Sequence, residues 1–180
     1  MTVSQLIKNR RTIRDFKKDK ISLPVLEELL DISVWAPYYS DIEPWRFIVI
    51  SEEGKTKLLD IILKSLNTAE RERYKSVWEK EILSAPLILI VVSKTGQNSK
   101  IADEALYASA ALIQNFQLAA WELGIGTVWK TNAWIYSPDA NISLNVYENE
   151  KIVGVMYCGY PERVPPAKAR RSGGELMTIF

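Results

Sequence analysis

Three arginines fall within five residues at Arg10-Arg11-Thr12-Ile13-Arg14, with the Thr12 hydroxyl among them and Asp15-Phe16 following. A guanidinium stays protonated in a protein and offers a planar fork of donors that matches phosphate oxygens. Charges this crowded repel one another unless an anion lies between them, or unless the segment is a solvated basic turn. A second basic knot, Lys168-Ala169-Arg170-Arg171, stands near the other end of the chain and favours an anion site built from both ends. Between the knots lies Pro44-Trp45-Arg46-Phe47.

Composition excludes much other chemistry. The chain has 180 residues, 47% hydrophobic and 25% charged, with net charge +1 and no histidine. That describes a single globular domain over 1–180 with a sizeable core. A near-neutral balance argues against general nucleic-acid affinity, which needs a broad basic face. Without histidine there is no Ser-His-Asp or Cys-His nucleophile system, no His-ligated zinc and no histidine base. The one cysteine, Cys158, has no partner for an intrachain disulfide or a thiolate cluster and reads as an inert thiol in a buried strand. No metal site is expected, and no histidine can serve as an acid or base. The N-terminus carries no segment of signal-peptide type, and the longest apolar run, Ala85 to Val92, is too short to span a bilayer. A cytoplasmic protein without membrane partners is the expectation.

The elements that would position the arginines follow from periodicity. A short helix over Ser4 to Asn9 delivers them into a loop. Ser22 is a candidate N-cap for a second helix with Pro24 in its first turn; Leu26, Leu29, Leu30 and Ser33 form its buried stripe, and Pro37 ends it. Phe47 to Ile50 reads as a strand, Gly54 to Leu66 as a helix, and Thr68 to Leu83 as a charged surface helix. Leu87 to Val92 is a β-branched and leucine run, hence a strand covered on both faces. Asp103 to Leu123 is a long helix, apolar on most sides and so buried, with Gly124 as its C′ residue. Its alanines permit close helix approach, either within the chain or across a subunit boundary. Gly126 to Lys130 and Ile152 to Tyr157 complete the strands, giving an α+β protein with helices covering a small sheet.

Five of these pieces, in order, resemble the FMN-dependent nitroreductase family: Arg10 to Phe16, Ala36-Pro37, Pro44-Trp45-Arg46-Phe47, Gly159-Tyr160-Pro161 and Lys168-Ala169-Arg170. The resemblance covers almost the whole chain. It implies a nitroreductase-like α/β/α sandwich, a small, mostly antiparallel sheet flanked by helices, in an interlocked homodimer. It further implies that residues from about 160 to 180 extend over the partner subunit, and that each FMN lies in the dimer interface.

By the same resemblance, Arg10, Lys168 and Arg170 align with phosphate contacts, and Arg11 and Thr12 with neighbours that donate hydrogen bonds there. Arg14 aligns with a cation at the N1–C2=O edge of the flavin, where negative charge develops on reduction. The backbone N–H of Asn132 is the candidate facing N5. Tyr38, Tyr39 and Trp129 are available to stack on ring or substrate, or simply to pack in the core or an interface. Hydride transfer to and from a flavin needs geometry and a tuned potential rather than a base. The implied activity is ping-pong: NADH or NADPH reduces FMN, then a nitroaromatic, quinone or similar electron-poor acceptor takes the hydride.

The chain departs from the family at Tyr38-Tyr39-Ser40-Asp41-Ile42-Glu43, where small and neutral polar residues are usual. Asp41 stands where an Asn meets the flavin or the partner subunit, and Glu43 where a Gln stands. A carboxylate there should lower the flavin potential, so Asp41→Asn should raise it. Thr131-Asn132 also replaces the family's usual glycine-containing pair, and Asn67, Arg71 and Arg73 are further candidate contacts. Three readings stay open: an FMN oxidoreductase, a flavin-binding or storage protein with little turnover, and a non-flavin interaction domain with two surface arginine clusters.

Overall fold

The computed structural model describes residues 1–39, 43–96 and 98–180. Helix α1 (Val3–Asn9) starts at Thr2, whose hydroxyl accepts the Gln5 N–H while the Gln5 side chain accepts the Thr2 N–H. This reciprocal cap satisfies donors that a helix start leaves unpaired. An irregular stretch carrying the arginines leads to α2 (Leu23–Ser33), which buries Leu26, Leu29 and Ser33. The helix ends at Ser33, before the expected stop at Pro37. Trp35 and Ala36 donate to the carbonyls of Ile32 and Ser33, three residues back, and tighten the chain into a turn.

The remaining elements are β1 (Trp45–Ile50), α3 (Gly54–Ser65), α4 (Thr68–Ser84), β2 (Leu87–Lys94), α5 (Ser99–Glu122), β3 (Gly126–Lys130), a 3₁₀ turn (Ala133–Tyr136), α6 (Pro138–Ser143), β4 (Glu150–Gly159) and a short 3₁₀ turn (Gly174–Leu176). The four strands run in the order β1-β2-β4-β3, and every pairing is antiparallel. Alternate residues of the central strand β2 feed two separate cores. Leu87, Leu89 and Val91 pack with α2 and α5, against Leu29, Leu112 and Phe116. Ile88, Ile90 and Val92 pack on the other face with Leu58 and Ile62 of α3, Ile82 of α4 and Trp134. The result is the expected three-layer α+β sandwich.

Two expectations about helices change. Helix α5 begins one turn before Asp103, because the Asn98 side chain accepts the Ile101 N–H at 3.0 Å and caps it there. It is also not buried all round: Ala105, Ala108, Leu112 and Phe116 are inside, whereas Tyr107 is 67% exposed. Gly124, at φ +75°, ends it in the left-handed conformation that glycine adopts without strain. Helix α4 is the expected surface helix, burying only Ile82. Cys158 is fully buried, and desolvation pushes its thiol pKa up. Among the described residues no helix is long and apolar enough to cross a membrane.

Candidate functional site

The arginine segment is held by both its ends and its middle. The Arg10 N–H closes α1 by donating to the Leu6 carbonyl at 3.0 Å, and the Ile13 N–H donates to the Thr127 carbonyl of β3 at 3.0 Å. Ile13 is 1% exposed and rests over Gly126, where an added Cβ would stand 2.4 Å from Ile13 Cγ1. Only a residue without a Cβ lets the segment approach the sheet edge this closely. Beneath it, Gln117 of α5 donates Nε2 to the buried Thr127 hydroxyl at 3.1 Å. Ile13 thus faces the core, and its neighbours Thr12 and Arg14 are carried to the surface.

The C-terminal knot reaches the same place by pairing with the arginine segment. Lys17 N–H donates to the Tyr160 carbonyl at 2.8 Å, and Glu162 N–H to the Asp15 carbonyl at 3.1 Å. An ion pair from Arg163 Nη2 to Asp15 Oδ2 at 3.4 Å follows. The two knots meet across a cleft of about 700 Å³ whose walls include six cations, Lys8, Arg10, Arg11, Arg14, Lys168 and Arg170, together with Thr12 and, among the described residues, no carboxylate. Arg10 Nη1 and Arg11 Nε are buried without a hydrogen-bond partner among the described residues. Desolvation, then the charges of Arg11 and Arg170, hold the Arg10 pKa below its ordinary value. Arg11 Nη1 donates to the Lys8 and Arg10 carbonyls at 2.8 and 2.9 Å, which fixes its guanidinium in place. Buried donors, like charges and, among the described lining residues, no acid make the cleft chemically suited to a multiply charged anion such as a phosphate.

All six basic-knot and hydroxyl residues expected from sequence are therefore brought together: Arg10, Arg11, Thr12, Arg14, Lys168 and Arg170 line one cleft. Gln114 of α5 and Pro165-Pro166 also line it, and sequence reasoning missed them. The Pro-Pro pair was a visible signal for an extended segment, but nothing local marks Gln114.

The other expected residues lie elsewhere on the chain. Tyr38 and Tyr39 line a second hollow of about 550 Å³, with Glu104, Tyr107 and Ala111 of α5. Their ring centroids are 5.1 Å apart, and Tyr38 packs 6.2 Å from Trp45. Asp41 lies outside the described residues, and Glu43 is exposed. Asn132 follows β3 and is half-buried; its carbonyl accepts the Ile135 N–H, and its Oδ1 is buried without a partner among the described residues. The end of β3 just before it is anchored, since Lys130 pairs with Glu81 of α4 and stands 5.4 Å from the Tyr157 ring centroid.

Trp129 is not on the cleft wall. Its indole occupies the space over Gly154, where a Cβ would come within 1.9 Å of Nε1, and donates to the Val153 carbonyl at 3.4 Å. Of the further candidates, Asn67 caps α4 and Arg71 donates Nε to the Leu63 carbonyl at 2.8 Å, closing the α3–α4 corner. Arg73 stacks on Tyr74.

Fold and cleft define a class: a three-layer α+β protein whose two chain ends converge on an anion cradle. The nitroreductase family model matches residues 7–160, and the chain belongs to the nitroreductase family. A relative from Bacillus subtilis, named "Putative NAD(P)H nitroreductase YfhC", is 33% identical over 170 residues, covering 92% of this chain and 87% of the relative. The crystal structure of a nitroreductase-like family protein from Bacillus cereus superposes with a TM-score of 0.96 at 33% identity, covering 100% and 96% of the two chains. An iodotyrosine deiodinase bound to FMN and 3-iodo-L-tyrosine shares the fold at 22% identity, with a TM-score of 0.75 and coverage of 95% and 96%.

Proposed function

We propose that this protein is an FMN-dependent NAD(P)H oxidoreductase that works by ping-pong hydride transfer to nitroaromatic, quinone or similar electron-poor acceptors. The carrying observation is the cleft itself: six cations and, among the described residues, two buried guanidinium nitrogens without partners and no carboxylate. The donor set fits the FMN phosphate. Arg10, Lys168 and Arg170 would hold it, with Arg11 and Thr12 beside them. Arg14, one residue beyond the anchor Ile13, would supply fixed positive charge to the flavin's pyrimidine edge. Held there, FMN would supply the hydride-accepting and hydride-donating chemistry, while the chain's own residues bind it, orient it and set its potential.

The remaining site residues fit a homodimer. Tyr107 and Ala111 on the aromatic hollow and Gln114 in the basic cleft follow one another at i, i+4 and i+7, on one face of α5. A second copy packed on that face would bring its Tyr38 and Tyr39 toward the first copy's cleft and complete the site, with Asn132 presenting its N–H to N5. The tail, whose Met177, Ile179 and Phe180 are all exposed, would gain apolar cover by lying over that partner.

The test separates the half-reactions. Anaerobic NADH or NADPH should bleach the flavin, and a nitroaromatic or quinone added afterwards should restore its colour. FMN that binds but is bleached by neither nucleotide would favour the storage reading. Absence of flavin binding would remove both.

A further inference from the structure

Asn132 stands two residues past the end of β3, and among the described residues its backbone N–H makes no hydrogen bond. The short segment Thr131-Asn132 is clamped on both sides. On the far side the Asn132 carbonyl accepts the Ile135 N–H at 3.1 Å, and the buried Trp134 and Ile135 seat the turn in the core shared with α3 and α4. On the near side the last residue of the strand ladder, Lys130, lies opposite Val155 of β4. Its ammonium pairs with Glu81 of α4 and stands over the Tyr157 ring, 5.4 Å from the centroid.

This ion pair is sheltered, with 17% of the Lys130 side chain and 29% of the Glu81 side chain exposed. Fully exposed pairs contribute little, because water screens them and two long side chains lose their freedom. Here the buried Tyr157 ring sits fixed in the sheet, and its face attracts the ammonium before Glu81 meets it. Glu81 is placed in turn by the next residue, Ile82, which α4 buries in the same core. The pair therefore ties an outer helix to the strand end that carries Asn132. It is also separate from the anion cradle. Thr127, which holds the arginine segment, lies three residues back along β3, roughly 10 Å from Lys130.

We infer that Lys130 and Glu81 are positioning residues for hydride transfer: their pair fixes the segment whose Asn132 N–H meets flavin N5. They set the rate of flavin reduction rather than the retention of flavin. This rests on the flavin reading above for the ligand, and on the intrachain geometry alone for the clamp.

Glu81→Gln and Lys130→Met keep the shapes of the two side chains and each break the pair. Hydrogen exchange at the Ile135 amide, followed by NMR on the FMN-free protein, reads the clamp directly. It should quicken about tenfold in both variants, as when a bond to a charged group is lost and a local opening becomes easier. Reduction of bound FMN by NADH or NADPH, followed in a single turnover, should slow about tenfold or more in both, because small misplacements of a reacting group are costly. FMN affinity should stay within about twofold, since the cradle is distant. The double variant should be no slower than either single one, as expected for two groups acting through one contact. Lys130→Arg keeps a cation over Tyr157 and within reach of Glu81, so it should retain wild-type exchange and reduction.

A direct effect of charge on the flavin would look different. Glu81→Gln removes an anion and Lys130→Met a cation, so their reduction rates would then move in opposite directions. That outcome, unchanged Ile135 exchange, or additive losses in the double variant would overturn the inference. A protein that takes up no FMN would remove the flavin reading and the role at N5 together, while the exchange arm would still show whether the pair holds the segment.

Discussion

Gly126→Ala tests how the fold holds the arginine segment. The new Cβ would stand 2.4 Å from Ile13 Cγ1, 2.7 Å from Ile13 Cβ and 3.0 Å from Ile13 Cγ2. Carbon–carbon contacts are comfortable at roughly 3.5–4.0 Å, so about 1 Å of relief is required. Rotating Ile13 about χ1 does not supply it, because Cβ itself is one of the clashing atoms. The backbone of residues 12–14 must retreat from β3, straining the Ile13–Thr127 hydrogen bond of 3.0 Å and shifting Thr12 and Arg14 in the cleft. Overpacking of this kind costs about 1–3 kcal/mol, which in a chain of this length lowers Tm by roughly 3–10 °C. FMN affinity, read by fluorescence quenching, should fall about tenfold or more, in line with the loss of one charge-assisted contact. Trimming the neighbour supplies the control. Ile13→Ala alone should cost about 2–5 kcal/mol by leaving a cavity, but combined with Gly126→Ala it should cost less than the sum. A Gly126→Ala protein with unchanged Tm and FMN affinity within twofold would refute the steric argument.

Three other perturbations carry signs or states that can be checked. Arg10→Ala should weaken FMN by roughly 10–100-fold yet leave the apoprotein's Tm unchanged or higher, since it removes a cation from among cations; calorimetry with and without FMN reads both. Arg46 holds Glu150 through Nε and Nη2 at 2.8 and 2.6 Å, and these bonds, ahead of the Tyr147 N–H, keep the Glu150 carboxyl below the ordinary range. A depressed carboxyl contributes stability above its unfolded pKa of about 4.3 that is lost as pH falls through the lower folded value. Glu150→Gln should therefore cost about 1–2 kcal/mol at pH 7 and flatten the decline in Tm below pH 5. Tyr107→Glu, on the exposed face of α5, should leave the fold intact, shift the protein to a monomer by light scattering, and reduce FMN retention.

Much of the fold was legible because its helices and central strand advertise their burial. The Leu26-Leu29-Ser33 stripe and the β2 run from Leu87 to Val92 are dictated by one-sided or two-sided contact with a core, and their boundaries shifted by only a few residues. The start of helix α5 is harder to see because its first turn, Ser99-Lys100, is polar, and its only marker is the Asn98 cap. The 3₁₀ turn and α6 escape the reading by periodicity although Ser137-Pro138 is a helix-start signal; Ser137 accepts the Ala140 N–H at 3.5 Å. At the site, the two basic knots could be joined because like charges gather in a fold only where an anion or solvent offsets their repulsion. Gln114 is invisible by comparison, since its place in the cleft depends on how α5 passes behind both chain ends. Trp129 is placed by a residue no periodicity marks: its indole lies over Gly154 of the neighbouring strand, with 37% of the residue exposed.

The visible absorption spectrum of the purified protein, with chromatography of whatever denaturation releases, tests the central claim most directly. The account predicts flavin absorption, FMN as the released species, and bleaching by NADH or NADPH. A colourless protein that takes up no FMN and gains no thermal stability from it would contradict the cradle, and with it the reading of both arginine knots.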